Sequence, residues 1–480
     1  MTGLMNFFGI QPSDKKQRDK LANMMKVDKD LLAKFEAAYQ KSGLDIQTGN
    51  LFDYANADAI HQAPGQMPDN VDFDALTDIM GRIVQELIDK TPVIHVLPDG
   101  TMQTLLPEAR ENTAPVTSQE INQFPEAVRP QLTGSLMKLD VGGGPSWRSL
   151  AETYGMYQKA RDVKTKTHLG FLLRQGLDIL DLDPVLYEML GHNPNSMSHW
   201  LPAIARAIKL QDFLKLPETR IARVPLPLLQ LTRIEYGELT QTTKHIVDRW
   251  AEKTFALDDT RDYFVKTGTF SSKFDFRNAH VPCGNEIHEL GEYLLLIQNQ
   301  ACVMAGPLTQ PSITGASTTN EFVVREFIHD KENNPCIYKG LPLHTEYRVF
   351  VDFDEKTILG ISPYWRADLM LKRFGDGAEN SPHDYHDYVI YKAHEDILNG
   401  RYEANKDRVL KAIADLLPNT DLTGQWSIDI MQNGDDFYLI DMALAVESAM
   451  NDVVPKNLLK PVRDPWLAEF PEMARKAIEG

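Results

Sequence analysis

The stretch Trp426–Ala443, WSIDIMQNGDDFYLIDMA, reads as two β-strands joined through Asn433-Gly434, a pair suited to the positive backbone angles of a tight hairpin. Each strand carries one aspartate inside apolar sequence, Asp429 in Ser-Ile-Asp-Ile and Asp441 in Leu-Ile-Asp-Met. With a connecting loop of about five residues, the two aspartates fall nearly opposite one another on adjacent strands. Facing carboxylates repel, so such a pair costs stability unless a cation, a proton or a lysine sits between them. Two carboxylates together with substrate phosphates describe a magnesium site. The plainer alternative is a pair of strand-end aspartates on a solvated face.

Upstream of this hairpin, strands and helices interleave, which predicts an α+β or α/β second half. ARVPLPLLQL (222–231) reads as a strand entering a loop. EFVVREFI (321–328), EYRVFVDFD (346–354) and KTILGISPYW (356–365) read as strands, the last two joined by an Asp-Glu-Lys turn. Helices are expected over 238–255, 285–304 and 400–417. HDYHDY (383–388) reads as a polar loop, the alternative being a segment that lines a substrate cleft.

Two of these strands carry chemistry-bearing residues. Lys266 ends the β-rich run DYFVKTG and leads into Thr-Gly-Thr-Phe-Ser-Ser-Lys, which closes on Lys273. Small side chains, hydroxyls and free backbone N–H groups are what cradling phosphates requires. An edge-strand lysine beside a polar turn is the other reading. In EYRVFV, Arg348 shares a strand face with Glu346 and Phe350, and leaves Tyr347, Val349 and Val351 on the other. An arginine on a buried face needs an anionic partner, and Glu346 and Asp352 are the nearest candidates.

The first 217 residues read differently. Helical spacing recurs within 1–60, near 73–90 and over 148–216, with a hairpin at 91–107 (TPVIHVLPDGTMQTLLP) and irregular chain from 107 to 146. Gly142–Gly144 lacks the spacing of a phosphate loop. His280, His288, His329 and His344 lie in one region without metal-ligand spacing. Cys283 stands at a helix start, where a thiol pKa can fall.

The chain has 480 residues, 42% hydrophobic and 25% charged, and a formal net charge of −18, which argues against nucleic-acid and anionic-membrane partners. No apolar run approaches the roughly 18 residues of a membrane span, and no secretory signal opens the sequence. Three scattered cysteines form a poor disulfide framework, so the expected compartment is the cytoplasm.

FVKTGTFSSKFDF, EFVVREFI, EYRVFVDFD, ILGISPYWR and WSIDI…FYLIDMA occur in the order found in the ATP-grasp superfamily, which residues 218–455 resemble. The likeness extends to the ATP-grasp assembly factor of eukaryotic translation initiation factor two and to bacterial and phage ATP-grasp proteins. It implies an α+β fold: a mostly helical N-terminal region (1–217) for substrate or partner recognition, then an ATP-grasp domain (218–480). In that domain two α+β subdomains hold the nucleotide between them. It further implies ATP and magnesium as cofactors. Lys266 would contact the α/β-phosphates, and Lys273 would lie in the loop over the triphosphate. Glu326, Phe327 and Ile328 would form the adenine hinge, and Asp429 and Asp441 would hold the metal. Arg348 would reach a phosphate or the transition state, assisted by Arg366. The family pattern puts a further acidic or amide ligand two residues after the last aspartate. Ala443 stands there, with Glu447 and Asn451 following off the strand register, so one magnesium is expected rather than two. The implied activity is an ATP-dependent ligase that activates a carboxylate as an acyl phosphate for attack by an amine or thiol. The alternative is an ATP-binding assembly or regulatory protein that holds a protein partner.

Overall fold

A computed structural model describes residues 93–105, 117–124, 190–191, 193–224, 228–229, 241–305, 319–374 and 381–460, with isolated positions 75, 79, 82, 91, 156, 161 and 165. The helices expected within 1–60 and the triple glycine lie outside the described residues, and the helix near 73–90 and the irregular 107–146 lie mostly outside them.

The fold is mixed α+β, with two main sheets. The six-stranded sheet runs β2 (Met102–Leu105), β1 (Val93–Val96), β4 (Thr219–Arg223), β7 (Glu321–Glu326), β5 (Tyr263–Thr267) and β6 (His280–Val281), every pair antiparallel. The five-stranded sheet runs β11 (Thr357–Pro363), β10 (Glu346–Asp352), β12 (Gln425–Asn433), β13 (Asp436–Leu444) and β3 (Leu214–Lys215). A small pair, β8 (Cys336–Ile337) with β9 (Leu341–Pro342), lies between them in sequence.

The 91–107 hairpin forms as read, with Gly100 at φ 77 in its turn. Its strands belong to the same sheet as β4, β5 and β7, so strands from before residue 217 help build the sheet that carries Lys266. Likewise β3, inside a stretch read as helical, pairs in parallel with β13. The strand expected at 222–231 lies earlier, at Thr219–Arg223.

Helix α1 (Met197–Ile208) knits the two sheets together. Trp200, Leu201, Ile204 and Ile208 on it share one core with Ile221 and Val323 of the first sheet and with Tyr347, Val349, Val351, Ile428 and Ile430 of the second. Tyr347, Val349 and Val351 thus occupy the apolar face predicted for β10. Helices α2 (Gln241–Phe255) and α3 (Leu290–Ala305) pack on each other beside the first sheet. Among the described residues, no helix is long and apolar enough to cross a membrane.

The loop expected at 383–388 is also overturned. HDYHDY is no loop: it forms the first turns of helix α5 (Pro382–Leu416), which follows the short helix α4 (Ala367–Phe374). The reason is local. Ser381 caps the helix, its hydroxyl accepting the Asp384 N–H at 3.4 Å, and Pro382 sits at the first helical position, where its missing N–H costs nothing.

The deciding hairpin also closes differently in detail. Its turn has two residues, between Asn433 and Asp436, with Gly434 at φ 67. A two-residue turn alone would set Asp429 against Ile440. A β-bulge next to Ile430 shifts the register by one, leaves Ile440 over, and pairs Asp429 with Asp441.

Candidate functional site

A cavity of about 380 Å³ opens between the two sheets, and its floor is the β10–β12–β13 face that carries the aspartates. Arg348 lies directly opposite Asp429 on the neighbouring strand and binds it in fork geometry, Nε to Oδ1 at 2.7 Å and Nη2 to Oδ2 at 2.6 Å. Asp429, rather than Glu346 or Asp352, is therefore the anionic partner of this arginine. Asp352 binds Lys460 and Gln425 instead.

Lys266 reaches Asp441 from the other sheet, Nζ to Oδ2 at 2.7 Å. It is fully buried, and burial lowers its pKa, with Asp441 opposing that fall. The two facing carboxylates thus each have a protein cation, which answers the repulsion expected from the sequence. The loop after Lys266 needs glycine: a Cβ on Gly268 would sit 2.6 Å from a Glu321 carboxylate oxygen.

Lys273 lines the cavity with its Nζ 4.0 Å from the centre of the Tyr364 ring, and the Arg348 guanidinium lies 4.8 Å from that ring. Burial pulls the Lys273 pKa down and pushes that of Glu346 up, and each of the two opposes the other's shift.

The opposite wall is apolar. Phe264, Phe276 and Phe327 line it, and the Phe327 ring stacks on His280 at 4.1 Å. Glu326, Phe327 and Ile328, the residues expected to form an adenine hinge, lie at this wall. The Phe327 N–H is already donated to the Asp262 carbonyl at 3.1 Å. The Ile328 N–H has no partner among the described residues.

Of the nine residues singled out, Lys273, Glu326, Phe327, Ile328, Arg348, Asp429 and Asp441 line one cavity, and Lys266 touches it through Asp441. Arg366 is not brought there. It is held in ion pairs with Asp368 and Asp452, both exposed. The reading missed Arg325, a half-buried cavity residue that donates to the Ile440 carbonyl at the bulge and lies 5.2 Å from the Phe264 ring. Its signal was an arginine inside the apolar run EFVVREFI. Tyr364, Glu346 and Glu447 also line the cavity and had weaker signals or none.

Asp429 and Asp441 offer hard carboxylate oxygens beside an uncharged hydroxyl, Ser427, and this donor set fits a divalent cation such as magnesium. A second cluster, Asp330, Glu332 and His344, has ligand atoms within 4.8 Å of one another. Asn334 and Arg401 already serve it: Asn334 Nδ2 donates to Asp330 at 2.9 Å, and Arg401 lies 3.3 Å from Glu332. That arrangement fits a structural network around the loop. Cys283 and Cys336 are exposed free thiols, and the Cys283 pKa is raised by its hydrogen bond with Asp262, against the fall suggested by its place at a helix start.

No family model and no curated protein matches the chain. Among solved structures it is similar in fold to C-terminally truncated Cdc123 from Schizosaccharomyces pombe, at 11% identity and TM-score 0.34, over 59% of this chain and 93% of that one. It is similar also to Cdc123 from the same organism, at 11% identity and TM-score 0.32, over 58% of this chain and 95% of that one.

Proposed function

We propose that the cavity binds ATP with magnesium and that the protein is an ATP-dependent ligase, joining a carboxylate to an amine or thiol. The observation that carries this reading is the convergence of Lys266, Arg348, Asp429 and Asp441, drawn from both sheets, on one cavity with an aromatic wall. The base would enter against Phe327 and Phe264, its edge meeting the Ile328 N–H. The phosphates would lie toward Lys273, Arg325 and the Thr267–Lys273 loop. Magnesium, held by Asp429 and Asp441, would supply charge neutralisation at the phosphates.

Lys266 and Arg348 are paired with the two aspartates, so nucleotide binding would exchange carboxylate for phosphate around these cations. Charge is conserved in that exchange, which keeps its cost low. Catalysis of this kind rests on positioning and charge stabilisation, and needs no protein nucleophile. The γ-phosphoryl group passes to a substrate carboxylate as ADP leaves, and an amine or thiol then displaces inorganic phosphate from the acyl carbon.

Ala443 favours a second reading, an ATP-binding assembly or regulatory protein that holds a partner without turnover, because its methyl group places no donor beside Asp441. Calorimetry of ATP binding with and without magnesium tests the shared part. ADP release that depends on an added carboxylate and amine supports the ligase. Tight binding without release, in a screen of amino acids and peptides, supports the second reading.

A further inference from the structure

Helix α5 packs inward through Tyr391, His394, Leu398 and Tyr402, all of them buried. A helix seated on a core by one face normally turns charge outward on the other. The first half of α5 does not. Tyr385, Val389, Ala393 and Ile397 recur at every fourth residue along its outer face, and all four are exposed. Tyr385, Val389 and Ile397 are three of the six large hydrophobic side chains exposed among the described residues, at 57%, 48% and 47%. Exposed apolar side chains scattered singly are ordinary, but three helical turns of them in one line make a surface.

Two exposed polar residues belong to the same face, His386 just after Tyr385 and Asp396 just before Ile397. Positions 386, 389, 393 and 396 follow the three-and-four spacing of a helix–helix seam. The stripe also maps onto itself when its direction is reversed. Val389 with Ala393, Tyr385 with Ile397 and His386 with Asp396 are each centred on position 391. Against an antiparallel second copy, Val389 of one chain meets the small Ala393 of the other, and Tyr385 meets Ile397. His386 meets Asp396, an acceptor for its ring N–H and a counter-charge when the ring is protonated. Its Nδ1 already lies 3.7 Å from Asp387, and Nε2 is the second nitrogen that can donate. A parallel pairing would set Asp396 against Asp396, so the polar residues select the antiparallel one.

We propose that this face of α5 is a homodimer interface, at which two copies of the chain pair their α5 helices antiparallel about a two-fold axis near position 391. The contact is isologous, so it closes at two copies and leaves no face for a third. Each chain carries a net charge of −18, and that repulsion holds the dimer to the weak, reversible class. The proposal does not depend on the nucleotide reading of the cavity.

Sedimentation velocity of the full chain, from micromolar to millimolar concentration, tests it. The wild type should pass from monomer to dimer as concentration rises, and no further. Val389→Asp places a carboxylate beside the axis on each copy and should weaken the dimer by about tenfold or more. His386→Glu sets an acid against Asp396 of the other copy and should weaken it by a similar factor. Adding Asp396→Arg to His386→Glu rebuilds an opposite-charge pair across the interface and should restore association. All three positions are exposed, so the melting curves should stay those of the wild type. A wild type that is monomeric throughout, that grows beyond a dimer, or whose dimer survives Val389→Asp overturns the interface. A dimer that Val389→Asp breaks but the double charge exchange does not restore overturns the antiparallel pairing.

Discussion

The cavity floor and the α2–α3 contact both draw carboxylates out of solvent, and they do so in opposite ways. On the cavity floor Asp429 faces Arg348 and Asp441 faces Lys266, each acid with a cation within 2.7 Å. Between α2 and α3, Asp248 sits among Glu289 and Glu292, whose charges add to its own. A paired anion stays charged and is costly to separate from its partner. An anion among like charges is relieved by taking up a proton. The first arrangement suits a site that must present fixed charges to a ligand, and the second makes a region whose stability follows pH.

The sharpest way to break this contrast is to remove one side of the floor's best-formed pair. Arg348→Met should cost about 3–5 kcal/mol in urea unfolding, because it leaves Asp429 uncompensated against the sheet. The double replacement Arg348→Met with Asp429→Leu should recover most of that loss. A cost below about 1 kcal/mol for the single variant would mean that the pair behaves as an exposed one.

Next comes the lysine that crosses between the sheets. Lys266→Ala should weaken ATP binding by about 1.5–3 kcal/mol in calorimetry, the scale of a charge-assisted hydrogen bond. Because Lys266 is wholly buried and paired with Asp441, the same variant should also melt earlier, a cost that a solvent-facing phosphate contact would not carry. Binding as tight as wild type would remove Lys266 from the phosphate site.

Asp441→Asn addresses the metal. Magnesium with nucleotide should raise the wild-type melting temperature more than nucleotide with chelator does, and the variant should lose that magnesium-dependent part. A magnesium increment that survives in the variant would put the metal elsewhere.

Much of the floor was legible in the sequence, because a strand's two-residue period fixes which side chains share a face. That period placed Arg348 opposite the apolar Tyr347, Val349 and Val351, and set Asp429 and Asp441 on facing strands. The pairing was reached, however, through a five-residue loop, whereas the chain uses a two-residue turn and a bulge at Ile440. A bulge leaves little local trace, since it answers to the packing of the whole sheet. The partner of Arg348 was misread for a related reason. Glu346 and Asp352 are near in sequence, but only the strand order places β12 beside β10. Asn195, which donates to the cavity residue Glu447, was out of reach altogether, because that contact spans 252 residues. The start of α5 is readable in Ser381-Pro382, a cap followed by a first-turn proline, although the aromatic and acidic residues beyond it have the composition of a loop.

The smallest effect belongs to the other side of the comparison. Burial, reinforced by Glu289 and Glu292, pushes the Asp248 pKa up to about 6. The α2–α3 contact is close there, since a Cβ on Gly291 would lie 2.6 Å from Asp248 Oδ1. A carboxyl group whose folded pKa is raised binds a proton more tightly in the folded state than in the unfolded one. Its ionised form therefore destabilises the fold above the folded pKa, and this penalty fades as pH falls toward the unfolded value. Asp248→Asn removes the charge and keeps the shape, so it should stabilise the protein at about pH 8 and lose that advantage near pH 4. Solvent screening at this partly exposed group holds the gain to about 1 kcal/mol. Thermal melts of the two proteins across that range should converge on the acid side, whereas a constant difference would assign the effect to the amide's packing rather than to the lost charge.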